Sequence, residues 1–129
     1  MRVESDPAQL LPLRRKLKPL LKKAGLSEKS REETLVAVGE ACTNSIRHAY
    51  SGEPGREIRV TVEESRKKLV FKIRDYGRKI DLSKVKTPKL PPRKAGGLGI
   101  YLMKRMMDAV EYRAGHRQGN ELILTKYKK

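Results

Sequence analysis

Tryptophan is absent and aromatic residues make up 5% of the chain, so whatever core forms is aliphatic. There is one cysteine, Cys42, which excludes an internal disulfide. No stretch approaches the ~20 apolar residues that a membrane helix needs, and residues 1–7 hold no apolar signal region. These absences point to a cytoplasmic protein. Negative charge is also scarce: 15 acidic residues face 31 Lys and Arg, a net charge of +16. Such a field favours nucleic acid, nucleotides or an acidic protein as partners. The elements that read nucleic acid are missing, however. There is no zinc-finger spacing, no basic region followed by heptads and no aromatic–basic stacking motif. The cations are scattered along the whole chain. They are read as solvated surface that would assist a phosphate ligand or an acidic partner, and neither a nucleic acid nor a membrane is expected.

What is present suits one soluble domain. The 129 residues can bury one core but not two. Leu10, Leu13, Leu17, Leu20 and Leu21 recur at three- and four-residue steps, which predicts an amphipathic helix over 7–24. Pro19 falls inside it and is expected to kink or cut it; Gly25 is a plausible stop. Ser27 offers an N-cap to a second helix that ends near Tyr50. After a turn at 51–55, two alternating segments, Ile58–Glu63 and Leu69–Arg74, predict an antiparallel hairpin. Residues 78–97 have no period and hold three prolines, five lysines and two arginines. A stretch of that length in a small domain is more often a functional lid than idle coil. A glycine-rich run then opens a helix to about Met107, and strands follow at 110–113 and 121–127, with Leu122 and Leu124 on one face. The order predicts an α+β two-layer sandwich: a mixed or antiparallel sheet with helices on one face.

Three motifs could carry chemistry. On the second helix Leu35, Val38, Cys42, Ile46 and Ala49 form an apolar stripe, and Glu40, Asn44 and His48 form a polar row at steps of four. An amide oxygen can bind Mg²⁺, a hard cation that takes oxygen ligands and substrate phosphates. A carboxylate one turn away can accept a proton from a nucleophile. A solvated helix face explains the same row. Asp75-Tyr76-Gly77 ends a strand; the carboxylate could accept a hydrogen bond from an exocyclic amine, and the glycine could let a base approach the backbone. A plain turn would look alike. Ala95-Gly96-Gly97-Leu98-Gly99 precedes a helix, where free amides and the helix dipole attract anions. A glycine-rich hinge is the other reading.

Taken in order, the motifs resemble those of the GHKL superfamily of ATPases, which share the Bergerat fold. Glu40-Ala-Cys-Thr-Asn44-Ser-Ile-Arg-His48-Ala-Tyr50 resembles the N-box. Asp75-Tyr-Gly77-Arg-Lys-Ile-Asp81 resembles the adenine-contacting box, and Gly96-Gly-Leu-Gly99 onward to Tyr112 resembles the glycine box that closes the lid. Gly119-Asn120 to Thr125-Lys126 resembles the final strand. The resemblance covers the chain from about residue 6 and is nearest to the anti-sigma-factor kinases of bacteria. It implies one domain, 1–129, with a lid at about 78–97. It implies Glu40 as general base and Asn44 as the Mg²⁺ ligand. Asp75, with Gly77 beside it, would take the adenine amine, and Thr125 would stand near the adenine. Gly97, Leu98 and Gly99 would supply amides near the phosphates. Arg93 and Lys94 are the candidate γ-phosphate cations, and His48 is read as structural.

The implied cofactors are ATP and Mg²⁺. The implied activity is phosphorylation of a serine or threonine on an anti-anti-sigma partner of the STAS fold, with a sigma factor as the other partner. The alternative is a nucleotide-dependent module that sequesters a partner without phosphorylating it. Dimer and monomer both stay open. Two departures stand out: the N-terminal strand is reduced to residues 1–5, and Arg78-Lys79 follow the Asp-x-Gly where many relatives have another glycine.

Overall fold

The computed structural model describes residues 1–80, 98–113 and 115–128, and for Leu98 and Gly99 the backbone alone. Strand β1 (Arg2–Glu4) leads through a 3₁₀ turn to helix α1 (Leu10–Lys23) and helix α2 (Glu28–Asn44), which runs on as a π-helical turn over Ser45–Ala49. Strands β2 (Glu57–Glu64) and β3 (Lys68–Asp75) follow, then helix α3 (Leu98–Met106) and strands β4 (Ala109–Tyr112) and β5 (Asn120–Tyr127). The sheet order is β1-β2-β3-β5-β4 and every pairing is antiparallel. The mixed alternative is thereby excluded for the described strands.

The helix ends are made by local chemistry. Ala24 closes α1 and Gly25 follows at φ 88°, a left-handed conformation that costs glycine little. The Gly25 N–H donates to the Lys22 carbonyl at 3.0 Å and the Leu26 N–H to Leu21 at 3.3 Å, a pattern that satisfies the helix's last carbonyls. Ser27 Oγ then accepts from the Ser30 N–H at 3.1 Å and caps α2. Of the expected kink or cut at Pro19, the cut does not occur: α1 runs through it to Lys23. Pro19 lies on the exposed side, so water can satisfy the Arg15 carbonyl that the missing N–H leaves free.

One face of the sheet is the core face. Ile58, Val60, Leu69, Phe71, Ile73 and Leu124 are 1% exposed or less. Leu13, Leu17 and Leu21 of α1 and Leu35, Val38 and Cys42 of α2 pack on that face with Ile100 and Met103 of α3. Each large side chain so buried contributes about 1.5–3 kcal/mol. Helix α2 lies centrally, flanked by α1 and α3 and resting on β3 and β5. That placement brings the end of α2 against the ends of β3 and β5, and the candidate site lies there.

Tyr50 fastens this corner. It accepts the Tyr76 N–H at 2.8 Å and donates to the Glu57 carbonyl. Burial, before any other influence, pushes its pKa up, so the phenol stays neutral and keeps the proton it donates.

Candidate functional site

Asp75, the last residue of β3, is 1% exposed and has no cation within salt-bridge distance among the described residues. Hydrogen bonds hold its charge instead. Oδ1 accepts from the Gly77 N–H at 3.1 Å, the Asn120 N–H at 3.2 Å and Asn120 Nδ2 at 3.0 Å. Oδ2 accepts from Ser45 Oγ at 2.8 Å. A carboxylate offers about two lone pairs on each oxygen, so Oδ1 is saturated and Oδ2 has room for one more donor.

Asp75 lines a small cavity with Asn44, Ser45, Ile73, Ile80, Asn120 and Leu122. Three apolar side chains form walls and four polar ones converge, the usual make-up of a small-molecule site. Asn44 supplies the second sign of a ligand: its Nδ2 is buried and has no hydrogen-bond partner. An unsatisfied buried donor costs about 1–3 kcal/mol. Rotation about the soft terminal torsion would present the amide oxygen in its place, so Asn44 can meet a polar ligand or a hard cation. Among the described residues no group of three His, Cys, Asp or Glu could hold a metal alone. Mg²⁺ commonly takes one or two protein oxygens together with substrate phosphates, and the Asn44 amide fits that use.

Glu40 sits one helical turn before Asn44, a Cβ separation of about 5–6 Å. It is half-buried and lines the groove between α1 and α2 with Leu10, Leu11, Arg14, Val36 and Thr43. No hydrogen bond or ion pair engages its carboxylate among the described residues. Glu40, Asn44 and His48 are all half-buried. His48 is half-buried at the π-helical turn, and its carbonyl accepts from Arg78 Nη2 at 3.3 Å. Cys42 is buried in the core, and burial pushes its thiol up to about 12, which leaves it no nucleophilic role.

Gly77 is needed for packing. A Cβ there would collide with the Ala49 carbonyl oxygen and come within 2.7 Å of Ala49 C and Tyr50 Cδ1. The glycine lets the turn pack on the end of α2, where the Arg78 N–H donates to Ala49 O at 2.8 Å. Gly77→Ala is expected to cost about 1–3 kcal/mol, the usual penalty for overpacking. Urea unfolding of the ligand-free protein would read this; a variant as stable as wild type would contradict it.

Thr125 is not brought to the site. It pairs with Val70 and Ala109 and, by the alternation of β5, faces away from the helices, while Leu122 and Leu124 face inward. It is also five residues from Asn120, roughly 17 Å along the strand. Asn120 stands in the cavity instead. Leu98 and Gly99 open α3; Arg93, Lys94, Gly97 and lid residues 81–97 lie outside the described residues.

Motif spacing singles out neither Ser45 nor Asn120. Ser45 carried a signal: it falls one turn after Ala41 and Cys42 on the buried side of α2, where a polar residue needs a partner. Asn120 carried a weaker one, beside Gly119 at φ 82°.

Residues 3–126 match the family model described as histidine kinase-like ATPase domain. The chain is 33% identical to a serine-protein kinase RsbW of Listeria innocua, over 86% of this chain and 74% of that one. It is 30% identical to a serine-protein kinase RsbW of Bacillus pumilus, over 98% and 83%. A solved histidine kinase domain from a blue-light activated kinase of Erythrobacter litoralis superposes with a TM-score of 0.49 at 18% identity, over 76% of this chain and 44% of that one. Among the described residues no helix is long and apolar enough to cross a membrane.

Proposed function

The chain belongs to the histidine kinase-like ATPase domain family, with relatives that are serine-protein kinases, and from that premise we propose that it transfers the γ-phosphate of ATP to an anti-anti-sigma partner and so regulates a sigma factor. It is an ATP-using serine/threonine protein kinase of the anti-sigma-factor type. The finer reading is that the acceptor is a serine or threonine on a partner of the STAS fold, that the chain works as one domain in the cytoplasm, and that Mg²⁺ assists.

One observation carries the nucleotide assignment: a buried carboxylate with a single vacant lone pair shares a cavity with an unpartnered amide. In this reading Asp75 Oδ2 accepts the 6-amino group of adenine, between walls formed by Ile73, Ile80 and Leu122. Asn44 holds Mg²⁺ through its amide oxygen. The bound ion neutralises phosphate charge, which phosphoryl transfer needs more than covalent help. Gly97, Leu98 and Gly99 are assigned amides for the phosphates, and Arg93 or Lys94 the γ-phosphate cation. Glu40, in the groove beside Asn44, accepts the proton of the partner's hydroxyl. Thr125 keeps no role here, and Asn120 takes the place beside the base.

The test is transfer of labelled γ-phosphate from Mg·ATP to a purified STAS partner. Wild type labels the partner on serine or threonine. Asn44→Ala is expected to lose at least about tenfold in transfer rate and to need more Mg²⁺ for half-maximal rate, since a ligand-bearing group is gone. ATP binding without any labelling would favour the non-catalytic sequestering module instead.

A further inference from the structure

Asn120 organises the cavity. It is 4% exposed, and its side chain uses all of its hydrogen-bonding capacity. Nδ2 donates to Asp75 Oδ1 at 3.0 Å and to the Arg78 carbonyl at 2.9 Å. Oδ1 accepts from the Ile80 N–H at 2.8 Å and from the Tyr112 hydroxyl at 3.1 Å. A primary amide has two donors and two acceptor lone pairs, and here all four are engaged. The backbone N–H of Asn120 adds a further bond to Asp75 Oδ1.

Two consequences follow. Asp75 cannot move its carboxylate without breaking bonds to Asn120, so the free acceptor site is held in one place, beside Ser45. The same amide also grips the backbone on both sides of Lys79, at Arg78 and Ile80.

We infer that Asn120 is a positioning residue that sets base preference: it holds the Asp75 carboxylate, an acceptor through either oxygen, where position 6 of a bound purine would meet it, and it ties that hold to the chain at Arg78 and Ile80. This rests on the adenine-nucleotide reading and goes beyond it by naming the residue that maintains the choice of amine over carbonyl. An amine at position 6 donates to Oδ2. A carbonyl there meets a second acceptor and leaves both groups unpaired, and sites built on a hydrogen bond reject such analogues strongly.

The Asn120 amide itself carries no titratable proton. Asn120→Asp places a carboxyl within hydrogen-bond distance of Asp75. Two buried carboxyls at that distance cannot both ionise freely, and one titrates well above its usual range. The other groups around the site are the Tyr112 hydroxyl on β4, Tyr50 at the end of α2, the Arg74 guanidinium, which donates to the Asp75 and Asn120 carbonyls, and the Arg78 guanidinium, which reaches back to His48. Below the raised pKa the new carboxyl keeps its proton and donates it to Asp75, as the amide does. Above it the two charges repel and Asp75 turns away.

Calorimetric titration with ATP and with inosine triphosphate, which carries oxygen at position 6, tests this. The wild type, Asn120→Asp and Asn120→Ser are compared at about pH 5.5 and about pH 8.5, on either side of the expected titration. Wild type prefers ATP at both. Asn120→Asp at the higher pH binds ATP about thirtyfold more weakly or worse, and its preference collapses. At the lower pH it recovers to within about fivefold of wild type. Asn120→Ser cannot acquire charge and loses the preference equally at both. A merely structural role would lower affinity for the two nucleotides together and leave their ratio unchanged, which would overturn the inference. Wild-type affinity in Asn120→Asp at the higher pH would overturn it too. A wild type that binds neither nucleotide would overturn both this and the nucleotide reading, whereas variants that keep the ATP preference would overturn this alone.

Discussion

Asp75→Asn is expected to lose about 30- to 150-fold in ATP affinity while the protein stays folded. The magnitude is that of a hydrogen bond to a charged acceptor, about 2–3 kcal/mol. The direction follows from the four bonds at this carboxylate. Three donors meet Oδ1: Gly77 N, Asn120 N and Asn120 Nδ2. An amide in this position keeps its oxygen there, since the opposite orientation sets its NH₂ against all three. The NH₂ therefore replaces Oδ2. Ser45 can rotate its hydroxyl to accept from it, so the fold tolerates the change. The adenine amine cannot adapt and meets a donor where an acceptor stood. Inosine triphosphate, with its position-6 oxygen, should gain relative to ATP in the variant. Calorimetric titration with the two nucleotides checks both statements. Unchanged ATP affinity would remove Asp75 from the base site.

Glu40→Ala should separate transfer from binding. General base catalysis contributes about 10²–10⁴-fold. Phosphoryl transfer depends mainly on positioning and charge, so the lower end of that range is expected: about a hundredfold in single-turnover transfer to the partner. ATP affinity should stay within about threefold, because Glu40 lines the α1–α2 groove and not the cavity at Asp75. Removing a half-buried carboxylate that has no partner among the described residues should also leave stability nearly unchanged. A variant with full transfer rate would refute the base assignment. One that loses ATP affinity in step with rate would move Glu40 to the nucleotide site.

Legibility of this fold in its sequence divides by range. The Gly25 stop, the Ser27 cap, the heptad-like leucines of α1 and the β2–β3 hairpin all depend on neighbours a few residues apart, and each is visible as a pattern. The sheet order and the exclusively antiparallel pairing are not, because they depend on which edges close over the aliphatic core. The site divides the same way. Asn44 and Asp75 stand out within their own motifs. Ser45 and Asn120 matter through contacts with Asp75 across 30 and 45 positions of sequence, and no local period reports those. The π-helical turn, closed by Tyr50 N–H to the Ser45 carbonyl at 3.0 Å, adds a residue to the last turn of α2, which a 3.6-residue wheel does not anticipate. Thr125 is a different case. Leu122 and Leu124 already mark the inward face of β5, so parity alone sends Thr125 outward, and the likeness of its strand to a family motif obscures that. At Gly77 the sequence marks the need for a glycine, while its cause, the approach of Ala49, exists only once the helix and strand have met.

The central claim is that the cavity between the end of α2 and the ends of β3 and β5 is an adenine nucleotide site. The most direct measurement is calorimetric titration of the wild-type chain with ATP in the presence of Mg²⁺, with GTP as the comparison. The account predicts saturable one-to-one binding of ATP and affinity for GTP weaker by at least about tenfold, the effect of one mismatched hydrogen-bonding group. Equal binding of the two nucleotides, or no binding of ATP, would contradict it.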